Sequence, residues 1–241
     1  MYRNRYFLWG LGITGFFLAV LLLLTVTGRS GRSSGPLSGN RPVIVSNPED
    51  AYLRWHGAGQ RGRIVIGISR WLNFVDIDTT RIIPARNPKP LRVTNLAAGA
   101  EKQLSARNFL TVAVMNGIAR EIIHLVPEAE YPDRAAVVRK GSGARVRDGV
   151  ISIPYLGTPR RITTVESLQP FDEKVLLYVN ASFFRYLQPE ELLTLLKSKN
   201  IRADDTVLCL SVGDSEVTDG ERARLRRFAE LLRGGDNDGR T

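Results

Sequence analysis

Apolar and polar positions divide this chain into one long apolar block and a series of shorter ones. The block runs from Phe7 to Val26 (FLWGLGITGFFLAVLLLLTV) without a charge. It is about the 20 residues that a helix needs to cross a hydrocarbon core. After Pro42 the pattern changes to short β-branched runs separated by stretches of helical period. Arg63–Ile68 (RIVIGI) reads as a buried strand, Ile122–Val126 as another stopped by Pro127, and Gly149–Leu156 (GVISIPYL) as a third. Val175–Val179 (VLLYV) is the most apolar strand candidate, and Thr206–Leu210 is the fifth. Between them, Asn47–Asp50 caps a short helix toward His56, and Ser105 caps one through Gly117. Pro189 starts a helix with Leu192, Leu193, Leu195 and Leu196 toward the core, and Asp219 caps a last one through Leu232. Continuously apolar strands alternating with helices predict a mainly parallel sheet covered on both faces, a three-layer α/β/α domain.

The expected organisation follows. Residues 1–6 form a short basic tail, 7–27 a transmembrane helix acting as a signal anchor, and 28–41 a flexible Gly/Ser linker. Residues 42–233 form the α/β domain and 234–241 a polar tail. A cleavable signal peptide is the competitor for 7–27, but its apolar core is normally shorter and ends at small residues. Thr25-Val26-Thr27-Gly28-Arg29 is a poor cleavage site. The expectation is a single-pass protein of a bacterial inner membrane with its domain extracytoplasmic. Arginines flank both ends of the block, so its orientation stays open.

The chain has 241 residues, 43% hydrophobic and 24% charged, which excludes wholesale disorder. Its single cysteine excludes a disulfide scaffold, and its two histidines leave little for a histidine-rich metal site. The net charge is +10, but five arginines and no acid precede Pro42, so half of the excess lies outside the domain. The arginines of the last helix interleave with Glu221 and Glu230 and carry no aromatic ladder, which disfavours nucleic acid. A protein partner or anionic lipid remains open. Cys209, inside an apolar strand, reads as a small buried hydrophobe, and His124 as a core histidine.

In a doubly wound sheet, chemistry gathers at the carboxyl ends of strands. Those ends are Gly67–Asn73, Pro127–Tyr131, Asn180–Phe184 and Ser211–Ser215. No phosphate loop, G-x-S-x-G elbow or zinc motif occurs. Asp76-Ile77-Asp78 is the best acidic pair. Two carboxylates at that spacing can share a divalent ion with a phosphate, and the pair is similar to the D-x-D of sugar-nucleotide transferases.

The segment VLLYV-Asn180-Ala-Ser182-Phe183-Phe184, followed by Pro189-Glu-Glu-Leu-Leu, resembles one from arginase-like hydrolases. The likeness is to the UPF0489 group, which includes peptide arginases. There an apolar strand leads into D-x-D and an aromatic pair. Asn108–Pro127 resembles that group's helix and strand, and Ile66–Asn73 stands where the group has H-x-D-x-H-x-D. The likeness covers roughly residues 48–232. Carried over by position, the metal ligands fall on Gly67, Ser69, Trp71, Asn73, Asn180 and Ser182. None is a carboxylate or an imidazole. The resemblance therefore implies an arginase-like fold without its metal pair, since several anionic oxygens are needed to offset two divalent ions. The expected function is a non-catalytic domain that acts by binding or as an envelope assembly scaffold, with no cofactor. The alternative is an enzyme: a metal-dependent C–N hydrolase with Mn or another divalent ion, or a D-x-D transferase, using Asp76 and Asp78.

Overall fold

A computed structural model gives the fold and describes residues 41–74, 99–139 and 143–234. Eight strands form one sheet: β1 (Val43–Val45), β2 (Arg63–Ile68), β3 (Ala119–Leu125), β4 (Arg145–Arg147), β5 (Val150–Ser152), β6 (Arg160–Thr163), β7 (Lys174–Asn180) and β8 (Arg202–Cys209). Their spatial order is β1-β8-β7-β2-β3-β6-β5-β4. The first six in that order pair in parallel, while β5 and β4 are antiparallel. The helices are α1 (Glu49–Gly57), α2 (Phe109–Met115), α3 (Tyr131–Arg139), α4 (Pro189–Ser198) and α5 (Asp219–Gly234).

Period-two alternation sorts each central strand between two cores. In β7, Val175, Leu177 and Val179 enter the core under α4 and α5. Leu176 and Tyr178 enter the one under α1 and α2. A strand buried on both faces must be apolar at every position, which is why this one is legible in the sequence. Each buried aliphatic side chain contributes roughly 2 kcal/mol. Gly67 of β2 sits on the α2 face, where an added Cβ would lie 3.7 Å from Leu110 and 4.0 Å from His124 Nδ1. Both are ordinary van der Waals distances, so an alanine would fit there without displacing either side chain.

Helix ends follow local chemistry. At α4, Gln188 and Glu191 form a reciprocal capping box with Pro189 in the first turn. Leu192 and Leu196, four apart, are buried, whereas Leu193 and Leu195 are half-buried. At α5 the capping residue is Thr218 rather than the expected Asp219. Its Oγ1 accepts from the Glu221 N–H, and Glu221 accepts from the Thr218 N–H at 2.8 Å. Ser105 is not the cap of α2. That helix begins at Phe109, and Asn108 Oδ1 accepts from the Ser105 N–H.

Two further expectations are corrected. The proposed third strand over 149–156 is only β5, three residues long and antiparallel, because the chain turns back through a Tyr155–Thr158 bridge. The expected transmembrane helix, and with it the single-pass, signal-anchored, extracytoplasmic membrane protein, is also corrected. Among the described residues no helix is long and apolar enough to cross a membrane. The longest of these helices, α5, has 16 residues and five arginines, too short and too polar to cross a bilayer. Residues 7–27 lie outside the described residues, as do Asp76 and Asp78, and no anchor enters the functional reading.

Candidate functional site

The crossover from β2 to β3 runs through α2 on one face of the sheet. The crossover from β7 to β8 runs through α4 on the other. The chain therefore departs in opposite directions from two neighbouring strands, and a crevice opens at their carboxyl ends. This is where the positions carried over from the family resemblance fall. Ile68 pairs with Val179, so Ser69 follows level with Asn180. Ser69, Asn180 and Ser182 thus share one strand-end edge. Asn73 turns away with φ 48°, a conformation asparagine tolerates, and its amide donates to the Ala106 carbonyl at 2.7 Å.

These side chains spend their polar capacity inward. The Asn180 amide donates to Tyr178 Oη and Ser211 Oγ, both at 2.8 Å, and its oxygen accepts from the Ser182 N–H at 2.9 Å. Ser69 Oγ accepts from the Trp71 N–H at 3.0 Å. Ser182 is fully buried, and its Oγ has no hydrogen-bond partner.

Above this layer, all four strand-end segments meet in one network that no motif announces. Arg70 follows β2, Glu130 follows β3, Tyr186 follows β7 and Glu216 follows β8. Arg70 Nε donates to Glu130 Oε1 at 2.6 Å, and its Nη1 lies 3.6 Å from Glu216. Arg134 donates to Glu130 at 3.1 Å, and the Tyr186 hydroxyl donates to the same carboxylate. Arg70 and Arg134 both stand over the Trp71 ring, 5.0 and 5.3 Å from its centroid. Glu130 and Arg70 are largely covered, while Tyr186 is 40% exposed.

Electrostatics fixes the charge states here. Burial would raise the Glu130 pKa, but hydrogen bonds from Tyr186, Arg70 and Arg134 outweigh it and hold the carboxyl below its ordinary value. Burial, then the bond to Glu130, pushes the Tyr186 hydroxyl up. Glu130 stays ionised and Tyr186 stays protonated at neutral pH. A general base or acid needs the opposite tuning, toward neutrality.

The donor set does not fit a divalent metal pair. Gly67 offers no side chain, and Trp71 offers only an N–H donor. Asn180 turns both N–H groups of its amide toward the cluster and its oxygen to the backbone. Two guanidinium charges lie on Trp71. Among the described residues no group of three or more His, Cys, Asp or Glu could hold a metal ion.

His124, also on this side of the sheet, is buried and accepts from Arg160 Nε at 3.1 Å, with Phe74 edge-on at 6.0 Å. Burial, then the Arg160 charge, holds its pKa well below 6.5. The unfolded chain binds this proton near pH 6.5 and the folded one does not, so stability is present above that pH and is lost as pH falls below it. The expected slope is up to about 1.4 kcal/mol per pH unit. Melting curves between pH 7.5 and 5 measure it. His124→Gln keeps an acceptor for Arg160 and is expected to flatten the slope.

Cys209 is buried beside Ser211 at 3.5 Å. Burial pushes its thiol up, so it is no nucleophile. The arginines of α5 are largely committed: Arg222 to the Leu210, Ser211 and Asp214 carbonyls, Arg224 to the Phe184 carbonyl, and Arg227 to Glu190 and Glu230. The basic stripe seen in the sequence is thus mostly structural glue. A scan of protein-family models and a search of curated proteins both find no match for this chain.

Proposed function

We propose that this domain is a non-catalytic member of the arginase-like group that acts by binding. The observation that carries the reading is the locked strand-end network. Where the frame would hold reacting groups, Glu130 is held ionised by three donors and Asn180 is saturated. What this edge still offers to a partner is surface. Tyr186 and Val212, both exposed, stand on it beside the half-exposed Glu216.

The test is metal loading of the full chain. After incubation with Mn or Zn and desalting, elemental analysis is expected to find far less than one metal per chain, with an unshifted melting temperature. Stoichiometric metal with raised stability would overturn the reading.

A further inference from the structure

Among the described residues, helices roof the second face of the sheet only in part. Helices α4 and α5 cover it over β7, β8 and β2, through residues such as Leu192, Leu196, Leu225 and Phe228. Toward β4 the chain supplies a cleft of about 480 Å³ instead. Its lining comes from β3 to β6, the turn before β5 and the segment 167–171, with no helix residue. The size is that of a small-molecule site.

Strand register explains its chemistry. Arg145 pairs with Ser152, Ser152 with Arg161, and Arg161 with Ile123. Arg147 pairs with Val150 in the next row. Alternation puts all of these on one face. The opposite face of β5 and β6 buries Ile151 and Ile162 against Ala135 of α3. The polar wall therefore carries Arg147, Ser152, Arg161 and Gln169, and the apolar floor Ile123, Leu168 and Phe171.

The wall carries two arginines against one carboxylate, Asp148. Arg161 spends one guanidinium nitrogen on Glu121 at 2.6 Å, while its Nε–H is sealed from water with no acceptor. The side chain is nevertheless 36% exposed and lines the cleft, so the outer N–H groups of its guanidinium can donate to an anion there. Arg147 is 92% exposed and pairs with Asp148, itself 85% exposed, at 3.2 Å, a pair worth little in water. A guanidinium pair above an apolar floor selects an anion that carries an apolar body.

We infer that this cleft binds a small organic anion, its carboxylate or phosphate held by Arg161 and Arg147 and its apolar body lying on Leu168 and Phe171. The site shares no residue with the strand-end network, so metal loading tests that network and not this cleft.

The experiment uses the isotope-labelled full chain titrated with phenylacetate, phenyl phosphate, inorganic phosphate and benzyl alcohol. The amides of Ser152, Arg161 and Thr163 report binding. Saturable shifts are expected for one or both aromatic anions at concentrations up to about 10 mM, the range of weak ligand sites. Which anion is tighter separates a carboxylate site from a phosphate site. Benzyl alcohol, lacking charge, and inorganic phosphate, lacking the ring, are expected to bind at least about tenfold more weakly, the equivalent of 1.4 kcal/mol. Arg161→Gln is expected to weaken the better anion by a similar factor. Ser152→Phe, at an exposed position, fills the cleft without touching Glu121 and is expected to abolish the shifts. No saturable shift with either aromatic anion overturns the inference. So does equal binding of benzyl alcohol, or binding unchanged in both folded variants.

Discussion

Asn180→Ala is expected to destabilise the domain by about 3 kcal/mol, because three buried hydrogen bonds end on one side chain. The alanine strands the Ser182 N–H and takes one hydrogen bond each from Tyr178 Oη and Ser211 Oγ, which keep only the weak thiol partner Cys209, all of them shut away from water. Ser211 itself sits at φ 49°, outside the ordinary range for serine, so its turn depends on this anchoring. For a domain of this size the loss corresponds to roughly 6–12 °C in melting temperature. Chemical denaturation followed by tryptophan fluorescence measures it. A loss under about 1 kcal/mol would mean that the cluster relaxes and finds new partners, which would contradict the locked strand-end reading.

The second large effect lies away from that edge. Arg54 of α1 grips Asp205 of β8 with two bonds of 2.8 Å, and the carboxylate is only 5% exposed. Arg54→Ala leaves that charge buried and uncompensated, and the expected cost is about 3–5 kcal/mol. Arg54→Lys recovers only part of it, since an ammonium cannot engage both oxygens in a fork. Adding Asp205→Leu to Arg54→Met removes both charges and is expected to restore most of the stability. The three variants in one denaturation series separate a structural tether from a group with some other duty. Only a tether is rescued by paired apolar replacement.

The parts of the fold that could be read in advance are those where one physical term dominates. β2 and β7 are buried on both faces, so their composition alone declares them, whereas β8 is declared only from Thr206 on and its polar first half, Arg202–Asp205, is not. α4 combines a first-turn proline, a capping box and leucines four apart. β1, β4 and β6 are different. They have three or four residues each, and RVR and RRIT carry arginine at half or more of their positions. Their strand state comes from neighbours already in the sheet, which no local window contains. The antiparallel edge escaped for the same reason.

The candidate site was legible as an address and not as a composition. Strand-end logic pointed to the windows that hold Arg70 and Glu130 and to the approaches of Tyr186 and Glu216. It did not single those residues out, because Arg70 and Glu130 meet across 60 positions, and Glu130 and Tyr186 across 56. Their pairing follows from strand order, a global property. The six positions carried from the family resemblance do not form one cluster of free polar groups. Ser69, Asn180 and Ser182 share an edge, where the Ser69 and Asn180 side chains and the Ser182 N–H make internal hydrogen bonds of the wall.

The pairing of β1 with β8 has a consequence for how the chain is made. Val43 lies against Val207 and Val45 against Cys209, so among the described residues the first strand pairs only with the last one synthesised. At roughly 5–20 residues per second, a ribosome leaves the first strand without its partner for about 8–30 s. During that interval Val43-Ile44-Val45 has no ladder to join. Chains shortened at the C-terminal end before β8 are therefore expected to leave two adhesive edges, one on each side of the missing strand.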